Sequence, residues 1–399
     1  MGSNLSIRLA ECGFEKDAIG LFSLLSLPVS CKLAWIFCID YVHPPIMPKS
    51  PRKGWLATAL LAMALSLYFM GQLHPKQNLL LFSIFCSTLA LFSGCLYMVG
   101  LAYELECIDR SRWAMGSACV TSGYRIGLLC GGACALYLAF VTNWTTTYTI
   151  ASLLLVLIAA CVLLQKEPYK SQEILREKKA RISAYKTRLS GFWHEVLLEP
   201  CKELFGRSET WLLLYFILLF KLPDELFKGM EGPFYLQLGF TKKDIALASK
   251  MFGFAATCLG AFCSAYFIKN KPPMLSCASI TTIHTLSLGT YCLQAYFGRS
   301  FDILYASTAL THLTTGAAMT SFIHLLWQST DSRFAAVQYA LLWSIFSFKA
   351  HLTACLGGLI ANQMCWLHFF ILVCLTGCIT SFLLLRLAKQ PTLAKFSCN

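Results

Sequence analysis

The sequence predicts an all-α polytopic membrane protein, and three observations lead to that prediction. The 399 residues are 57% hydrophobic and only 13% charged, with a mean hydropathy of +0.60, which is too apolar for a soluble protein of this length. The apolar runs are about 20 residues long, as a helix needs in order to cross a bilayer. They show no strict alternation, and backbone groups in lipid must bond within their own segment, so the runs predict helices and not barrel strands.

The apolar runs predict about eleven transmembrane helices, with a polar segment after the fifth. They lie at about 18–40, 55–70, 79–103, 115–140 and 148–164, and then at about 210–235, 245–267, 274–295, 303–327, 334–360 and 366–387. We therefore expect an N-terminal helical bundle at 1–165, a basic linker at 166–208, a C-terminal six-helix bundle at 209–390 and a tail at 391–399.

Basic residues collect in the links between the apolar runs. The formal net charge of +13 does not indicate a nucleic-acid partner, because cations in such links orient a membrane protein with its basic loops in the cytoplasm. The segment 166–208 interleaves lysine and arginine with glutamate and apolar residues, which predicts an amphipathic helix on the cytoplasmic membrane face. The carboxyl end then lies in the cytoplasm, and the lipid bilayer is the expected partner.

The residues give no support for an enzyme or a cofactor. Most of the twenty cysteines lie in apolar runs, where cysteine behaves as a small hydrophobe. The chain has no CxxC pair and no Cys/His cluster with metal-ligand spacing. It also lacks a nucleophile–base pairing and a glycine-rich phosphate loop, so we expect no catalytic activity, no metal and no cofactor.

A charged stretch at 220–228, F-K-L-P-D-E-L-F-K, interrupts the predicted span at 210–235. A charge at the bilayer centre costs about 2.5 to 3.5 kcal/mol even on the lenient insertion scale, so such residues normally face a protein-lined cavity. Lys221 and Glu225 stand four residues apart, as do Asp224 and the next lysine, so neighbouring turns can pair their charges. Pro223 removes a backbone donor and can kink the helix. The stretch predicts a transport site.

Short motifs with a family-like order and spacing occur along the chain. They are Lys32-Leu33-Ala34-Trp35 with Asp40, Arg52-Lys53-Gly54-Trp55, Gly123-Tyr124-Arg125-Ile126-Gly127, Lys221-Leu222-Pro223-Asp224, Lys250-Met251-Phe252-Gly253 and Ala336-Val337-Gln338-Tyr339-Ala340-Leu341-Leu342. Together they resemble the AmpG-type muropeptide permeases of the major facilitator superfamily. The resemblance implies a major facilitator fold, in which two helical bundles rock around a midplane binding site.

The resemblance also implies a function, and the sequence differs from the family at several positions that bear on it. It implies a monomeric symporter that imports anhydro-muropeptides across a bacterial inner membrane for peptidoglycan recycling. The helix that is first in the family has no counterpart in the sequence given, so either the true start lies upstream or the protein has lost this helix. Family carboxylates are replaced at 96–102 and at 311–313. The carboxylates left for proton coupling are Asp224 and Glu225, with Glu104 nearer the membrane surface.

The candidate substrate-binding residues have a charge or a ring that suits an acidic sugar-peptide. Arg125 lies about ten residues into its run, or roughly 15 Å at 1.5 Å per residue, which is near the midplane. It either pairs with Asp224 or Glu225 or captures substrate carboxylates, and a cavity-facing pair can do both. The other candidates are Tyr124, Lys221, Lys250, Trp35 and Lys349.

Three further residues predict a device that changes conformation. Asp40 with Arg52 and Lys53 is similar to the cytoplasmic latch of the superfamily. The histidines at 284 and 324 are interpreted as hydrogen-bonded packing residues, whereas His312 takes the place of a polar residue of the family.

Two alternative functions remain: the same fold with another anionic substrate, such as acetyl-CoA or a nucleotide, and a truncated homologue that does not transport.

Overall fold

The computed structural model describes residues 5, 8–9, 11–12, 14, 44–48, 50–165, 198–227, 230–331 and 334–390. Within these ranges every regular element is helical, as the sequence predicts. The predicted first span at 18–40 and most of the predicted linker lie outside the described residues, as do Trp35 and Asp40.

The helices are numbered in chain order. The first half contains α1 (Pro51–Gln72), α2 (Leu79–Cys107), α3 (Trp113–Leu128), α4 (Ala135–Val141) and α5 (Trp144–Leu164). The second half contains α6 (Glu199–Gly206), α7 (Ser208–Leu219), α8 (Leu222–Phe227), α9 (Glu231–Gln237), α10 (Lys242–Ile245), α11 (Gly253–Ile268), α12 (Pro273–Phe297), α13 (Phe301–Ser329), α14 (Ala335–Ala361) and α15 (Trp366–Ala388). A π-helical turn, Leu129–Cys134, joins α3 to α4, and another, Ala246–Phe252, joins α10 to α11.

Seven helical segments in the described part are long and apolar enough to cross a membrane. They are α1, α2, α3 with α4, α5, the second π-helical turn with α11, α14 and α15. The predicted spans at 274–295 and 303–327 are the continuous helices α12 and α13, which carry many serine, threonine and histidine residues. The predicted span at 210–235 is divided into α7, α8 and α9. The chain is a multi-pass membrane protein.

The chain divides into two compact units. The first consists of Met1–Cys107, Ile126–Pro200 and Ser332–Ala340, and the second of Ile108–Arg125, Cys201–Asp331 and Leu341–Asn399. The domain boundaries expected from the sequence stay a prediction.

In the first unit, α1 packs against both α2 and α5. A side-chain hydrogen bond joins α5 to α1, in which the Ser152 hydroxyl donates to the carbonyl of Ala64 at 2.8 Å. At the other end of α5, the buried Lys53 donates to the carbonyls of Leu163 and Gln165. These carbonyls have no partner within a helix that ends there, and a cation is favourable at a helix C-terminus.

Arg8 is a buried arginine that donates hydrogen bonds to carbonyls at the C-terminal end of α1. Arg8 donates to the carbonyls of Met70 at 2.8 Å and Leu73 at 2.9 Å. Its guanidinium lies 5.3 Å from the ring centroid of Phe82 and 4.8 Å from that of Tyr148. The Arg8 side chain is therefore packed within the first unit.

In the second unit, α13 packs against α11 and α12, and α12 packs against α15. The backbones of α11 and α13 approach closely at two glycines. A Cβ atom on Gly260 would overlap the carbonyl of Leu313, and one on Gly316 would overlap that of Thr257. Only glycine allows this approach, which holds the polar face of α13 at a fixed distance from α11.

The cysteines whose side chains the structure describes carry free thiols. Outside the spans, hydrogen bonds with His368 lower the pKa of the exposed Cys365 thiol, whose sulfur lies 2.7 Å from His368 Nδ1. Among the described residues no group of His, Cys, Asp or Glu side chains is placed to hold a metal ion.

We expect Gly316→Ala to lower the stability of the purified protein by about 1 to 3 kcal/mol, the usual cost of overpacking. The apparent unfolding temperature in detergent measures this effect. Gly289→Ala is the matched control, because a Cβ atom there meets nothing within 4 Å. Alanine is the better helix former by about 1 kcal/mol, so the control should be neutral or slightly stabilised. Equal effects of the two variants would contradict the close approach.

We expect Arg8→Ala to destabilise the first unit by at least about 1.5 to 3 kcal/mol, the contribution of one charge-assisted hydrogen bond. Arg299→Ala is the control, since this exposed arginine only lies over the rings of Phe240 and Phe301. An exposed cation–π contact contributes about 0.5 to 1 kcal/mol. Thermal unfolding in detergent compares the two, and a smaller effect at Arg8 would be evidence against its role at the end of α1.

Candidate functional site

The site is built around a break in the helical segment that the sequence predicted as one span. Helix α7 ends at Leu219, and Lys221 has a φ of +53° before α8 begins. A left-handed conformation costs a residue with a side chain roughly 1 to 2 kcal/mol. The break therefore lies before Pro223, and not at it as the sequence suggested. Pro223 occupies the first turn of α8, where its missing N–H has no helical partner to lose.

Packing and a cation stabilise the end of α7. The carbonyl of Phe220 accepts a hydrogen bond from Lys349 Nζ at 2.7 Å. The Phe220 ring stacks on Phe322 with centroids 4.1 Å apart, and both side chains are fully buried. Lys349, a predicted substrate-binding residue, thus donates to a carbonyl that the broken helix leaves without its usual partner.

Three ionisable side chains meet just after the break. Lys221 Nζ lies 2.7 Å from Asp224 Oδ2, and His284 Nε2 lies 3.1 Å from Asp224 Oδ1. The side chain of Asp224 is 20% exposed, whereas Lys221 and His284 are 4% and 1% exposed. The sequence interpretation of His284 as a hydrogen-bonded packing residue agrees with its burial and its bonds, but it did not identify Asp224 as the partner. A buried ion pair needs such added hydrogen bonds to offset the loss of water around its charges.

Polar side chains continue from this cluster along the facing sides of α12 and α13. His284 Nδ1 lies 2.9 Å from the Thr314 hydroxyl, which lies 2.9 Å from the Ser287 hydroxyl. Further along, the Tyr235 hydroxyl lies 3.4 Å from that of Ser307. We call this row of residues the polar seam. Its members are His284, Ser287 and Tyr291 on α12, and Thr314, Thr311 and Ser307 on α13.

A second carboxylate lies at the other end of the polar seam. Glu231 Oε1 accepts hydrogen bonds from Ser249 at 2.8 Å and from the Tyr291 hydroxyl at 3.4 Å. Glu231 is not among the site residues that the sequence predicts. The available signal was a glutamate inside a predicted span, seven residues after Asp224.

Of the other predicted site residues, Tyr124 and Arg125 take no part in the described contacts of this cluster. Tyr124 is 65% exposed, and the partly exposed Arg125 forms no ion pair within the described part of the chain. The proposed pairing of Arg125 with Asp224 is replaced by the pairing of Asp224 with Lys221 and His284. Glu225 and Arg52 are buried, and Lys250 belongs to the π-helical turn before α11.

The fold and the sequence can now be compared with known proteins. A family model described as Major Facilitator Superfamily matches residues 18–222. The chain belongs to the major facilitator superfamily. A Rickettsia bellii relative named "Putative transporter AmpG 2" is 30% identical over 372 residues, which cover 92% of this chain and 87% of the relative. "Putative transporter AmpG 4" from Rickettsia conorii is 28% identical over 392 residues, with 96% and 91% covered.

Solved structures of the superfamily are similar in fold. The proton:xylose symporter XylE has a TM-score of 0.61 at 13% identity, with 96% of this chain and 90% of that chain covered. The E. coli fucose:proton symporter FucP has a TM-score of 0.57 at 12% identity, with 96% and 95% covered. At these identities the likeness shows the fold alone. The sequence relatives confirm the AmpG-type resemblance, and this transporter family gives the chain a small-molecule substrate and a lipid bilayer.

We expect Asp224→Asn to destabilise the protein by about 3 to 5 kcal/mol, because it leaves Lys221 buried without its counter-ion. The double variant Lys221→Met/Asp224→Asn removes both charges and should lose less stability than the single variant. Thermal unfolding in detergent measures the difference. If the double variant is the less stable of the two, the Lys221–Asp224 pair is not the dominant interaction of the cluster.

Proposed function

We propose that this chain is a proton-coupled importer of anhydro-muropeptides that works by alternating access in a bacterial inner membrane. The observation that supports this most is the cluster of Lys221, Asp224 and His284 at the helix break. Its charges are withdrawn from water, and charges at membrane depth normally serve a substrate or ion pathway. The AmpG names of the relatives suggest the muropeptide.

The cluster can link proton binding to the capture of an acidic substrate. While Asp224 is ionised, it neutralises Lys221, from which its carboxylate lies 2.7 Å away. A proton taken up by the Asp224–His284 pair weakens that attraction and leaves the charge of Lys221 available for a substrate carboxylate. Muropeptide stems carry such carboxylates. Release of the proton on the other side of the membrane restores the pair and expels the substrate.

The remaining predicted residues complete the proposal. Arg125, Tyr124, Lys250 and Trp35 would contribute to substrate binding, and Asp40, Arg52 and Lys53 would form the cytoplasmic latch. Lys349 keeps a structural role at Phe220, which does not use all three of its donors. Glu225 remains a second candidate for proton coupling. We propose a monomer with its carboxyl end in the cytoplasm.

The test is uptake of labelled anhydro-muropeptide by cells that lack their own permease and produce this chain. We expect uptake that falls when the proton gradient is collapsed. Asp224→Asn should reduce uptake by about tenfold or more, since a charge-assisted hydrogen bond contributes about 1.5 to 3 kcal/mol. Asp302→Asn is the matched control, because Asp302 is an exposed acid in the first turn of α13.

The same cells separate the alternatives. Uptake of the muropeptide that is inhibited by nucleotides or coenzyme A would indicate another anionic substrate. A chain that inserts in the membrane, binds no muropeptide and shows no uptake would refute the proposed function. Uptake that survives collapse of the proton gradient would refute the coupling but not the substrate.

A further inference from the structure

The polar seam has a carboxylate at each end. On α12, positions 284, 287 and 291 share one helical face, and on α13 positions 314, 311 and 307 do the same. At one end of the seam, Asp224 bonds to His284 at 3.1 Å. At the other end, Glu231 accepts a hydrogen bond from Tyr291 at 3.4 Å. The seam therefore joins two acids that stand seven residues apart in the chain.

The hydroxyl groups between the two carboxylates are closely spaced. Thr314 links His284 and Ser287, with both distances at 2.9 Å. One helical turn further along α13, Thr311 lies beside the Tyr291 hydroxyl. Side chains one turn apart on a helix have Cβ atoms about 5 to 6 Å apart. The Thr311 and Thr314 hydroxyls donate to the carbonyls of Ser307 and Leu310, so the step between them needs a hydroxyl rotation or one water molecule.

We propose that Glu231 is a second proton-carrying residue, which receives the coupling proton and passes it along the polar seam to the His284–Asp224 pair. This inference rests on the proton coupling proposed above. In the transfer, the carboxyl group of Glu231 loses one proton and becomes a carboxylate, and the His284–Asp224 pair gains one proton. Each hydroxyl group on the way accepts one proton and releases its own, so one O–H bond forms as another breaks, and the total charge of the unit is unchanged.

The geometry of His284 suits the receiving end. Its Nε2 faces Asp224, and its Nδ1 faces the Thr314 hydroxyl. A neutral imidazole that donates from Nε2 to Asp224 has its acceptor at Nδ1, which is the nitrogen on the seam side. A proton that arrives through the seam is taken up there without loss of the contact with Asp224.

The surroundings of Glu231 suit the entry end. Its side chain is only partly buried, so a proton can reach it. The ionisable groups that face it include Tyr235 on its own helix and Tyr291 on α12. Ser249 faces it from the π-helical turn before α11. In the predicted topology, α9 is the outer part of its span, so Glu231 faces the side from which protons enter.

The first measurement counts protons on the purified protein and needs no substrate. We expect Glu231→Gln to bind about one proton fewer than the wild type when it is titrated between about pH 4 and pH 9. Asp302→Asn controls for the loss of an exposed acid. A purely structural Glu231 that stays ionised throughout would leave the proton count unchanged above the acid end, and that result would overturn the proposal.

The second measurement uses cells or vesicles that take up the muropeptide. We expect Glu231→Gln to reduce gradient-driven uptake by about tenfold, while exchange of substrate without a gradient stays within about twofold. Glu231→Asp should restore gradient-driven uptake in part. Tyr291→Phe removes the hydroxyl but keeps the ring that packs on Phe370. This variant should therefore bind as many protons as the wild type and lose gradient-driven uptake. Equal losses of exchange and driven uptake in Glu231→Gln would overturn the relay.

The two proposals fail in different ways. If the wild type takes up no muropeptide, the proposed function fails, and the proton count still decides whether Glu231 titrates with the Asp224 cluster. If the wild type transports and Glu231→Gln transports equally well under a gradient, the relay fails and the proposed function stands.

Discussion

The structure depends on how a broken helix satisfies its backbone within a membrane. Lipid offers no hydrogen bonds, so each carbonyl at a helix end needs a donor from the protein. Lys349 supplies one at the end of α7, Lys53 at the end of α5 and Arg8 at the end of α1. These three cations belong to the excess of positive charge in the composition, and each donates hydrogen bonds to carbonyls at the end of a helix. The break at Lys221 is therefore stable, and the side chains beside it have defined positions.

The charged side chains meet beside that break. Both Asp224 and Glu225 have a spacing from Lys221 that allows an ion pair, and the structure places the Lys221 ammonium group 2.7 Å from Asp224. The carboxylate then has a free oxygen for His284. Each partner lowers the cost of burying the others, since a buried charge without a partner is far more costly than a paired one. The three side chains of the cluster therefore stabilise one another.

The sequence predicted what depends on local pattern and missed what depends on several helices. The apolar runs placed α12 and α15 to within two residues of their observed ends, because helix length in a membrane is set by the bilayer. Lys221 and Asp224 were found because charge in an apolar run is conspicuous. His284 and Glu231 were not, since an isolated histidine or glutamate acquires its meaning only from partners on other helices. The sequence placed the break at Pro223 because no sequence pattern predicts a positive φ at a lysine such as Lys221.

The polar seam, with both of its carboxylates, belongs to the second compact unit. Alternating access in this superfamily is a rocking of two helical bundles around a fixed site, and such a motion would leave contacts within the predicted C-terminal bundle at 209–390 intact. A proton moving from Glu231 to Asp224 would then cross no boundary that the motion opens or closes. The coupling between proton and substrate would lie in one place, the charge balance of Lys221 and Asp224. The side from which the substrate is accepted would change without any rearrangement of the relay.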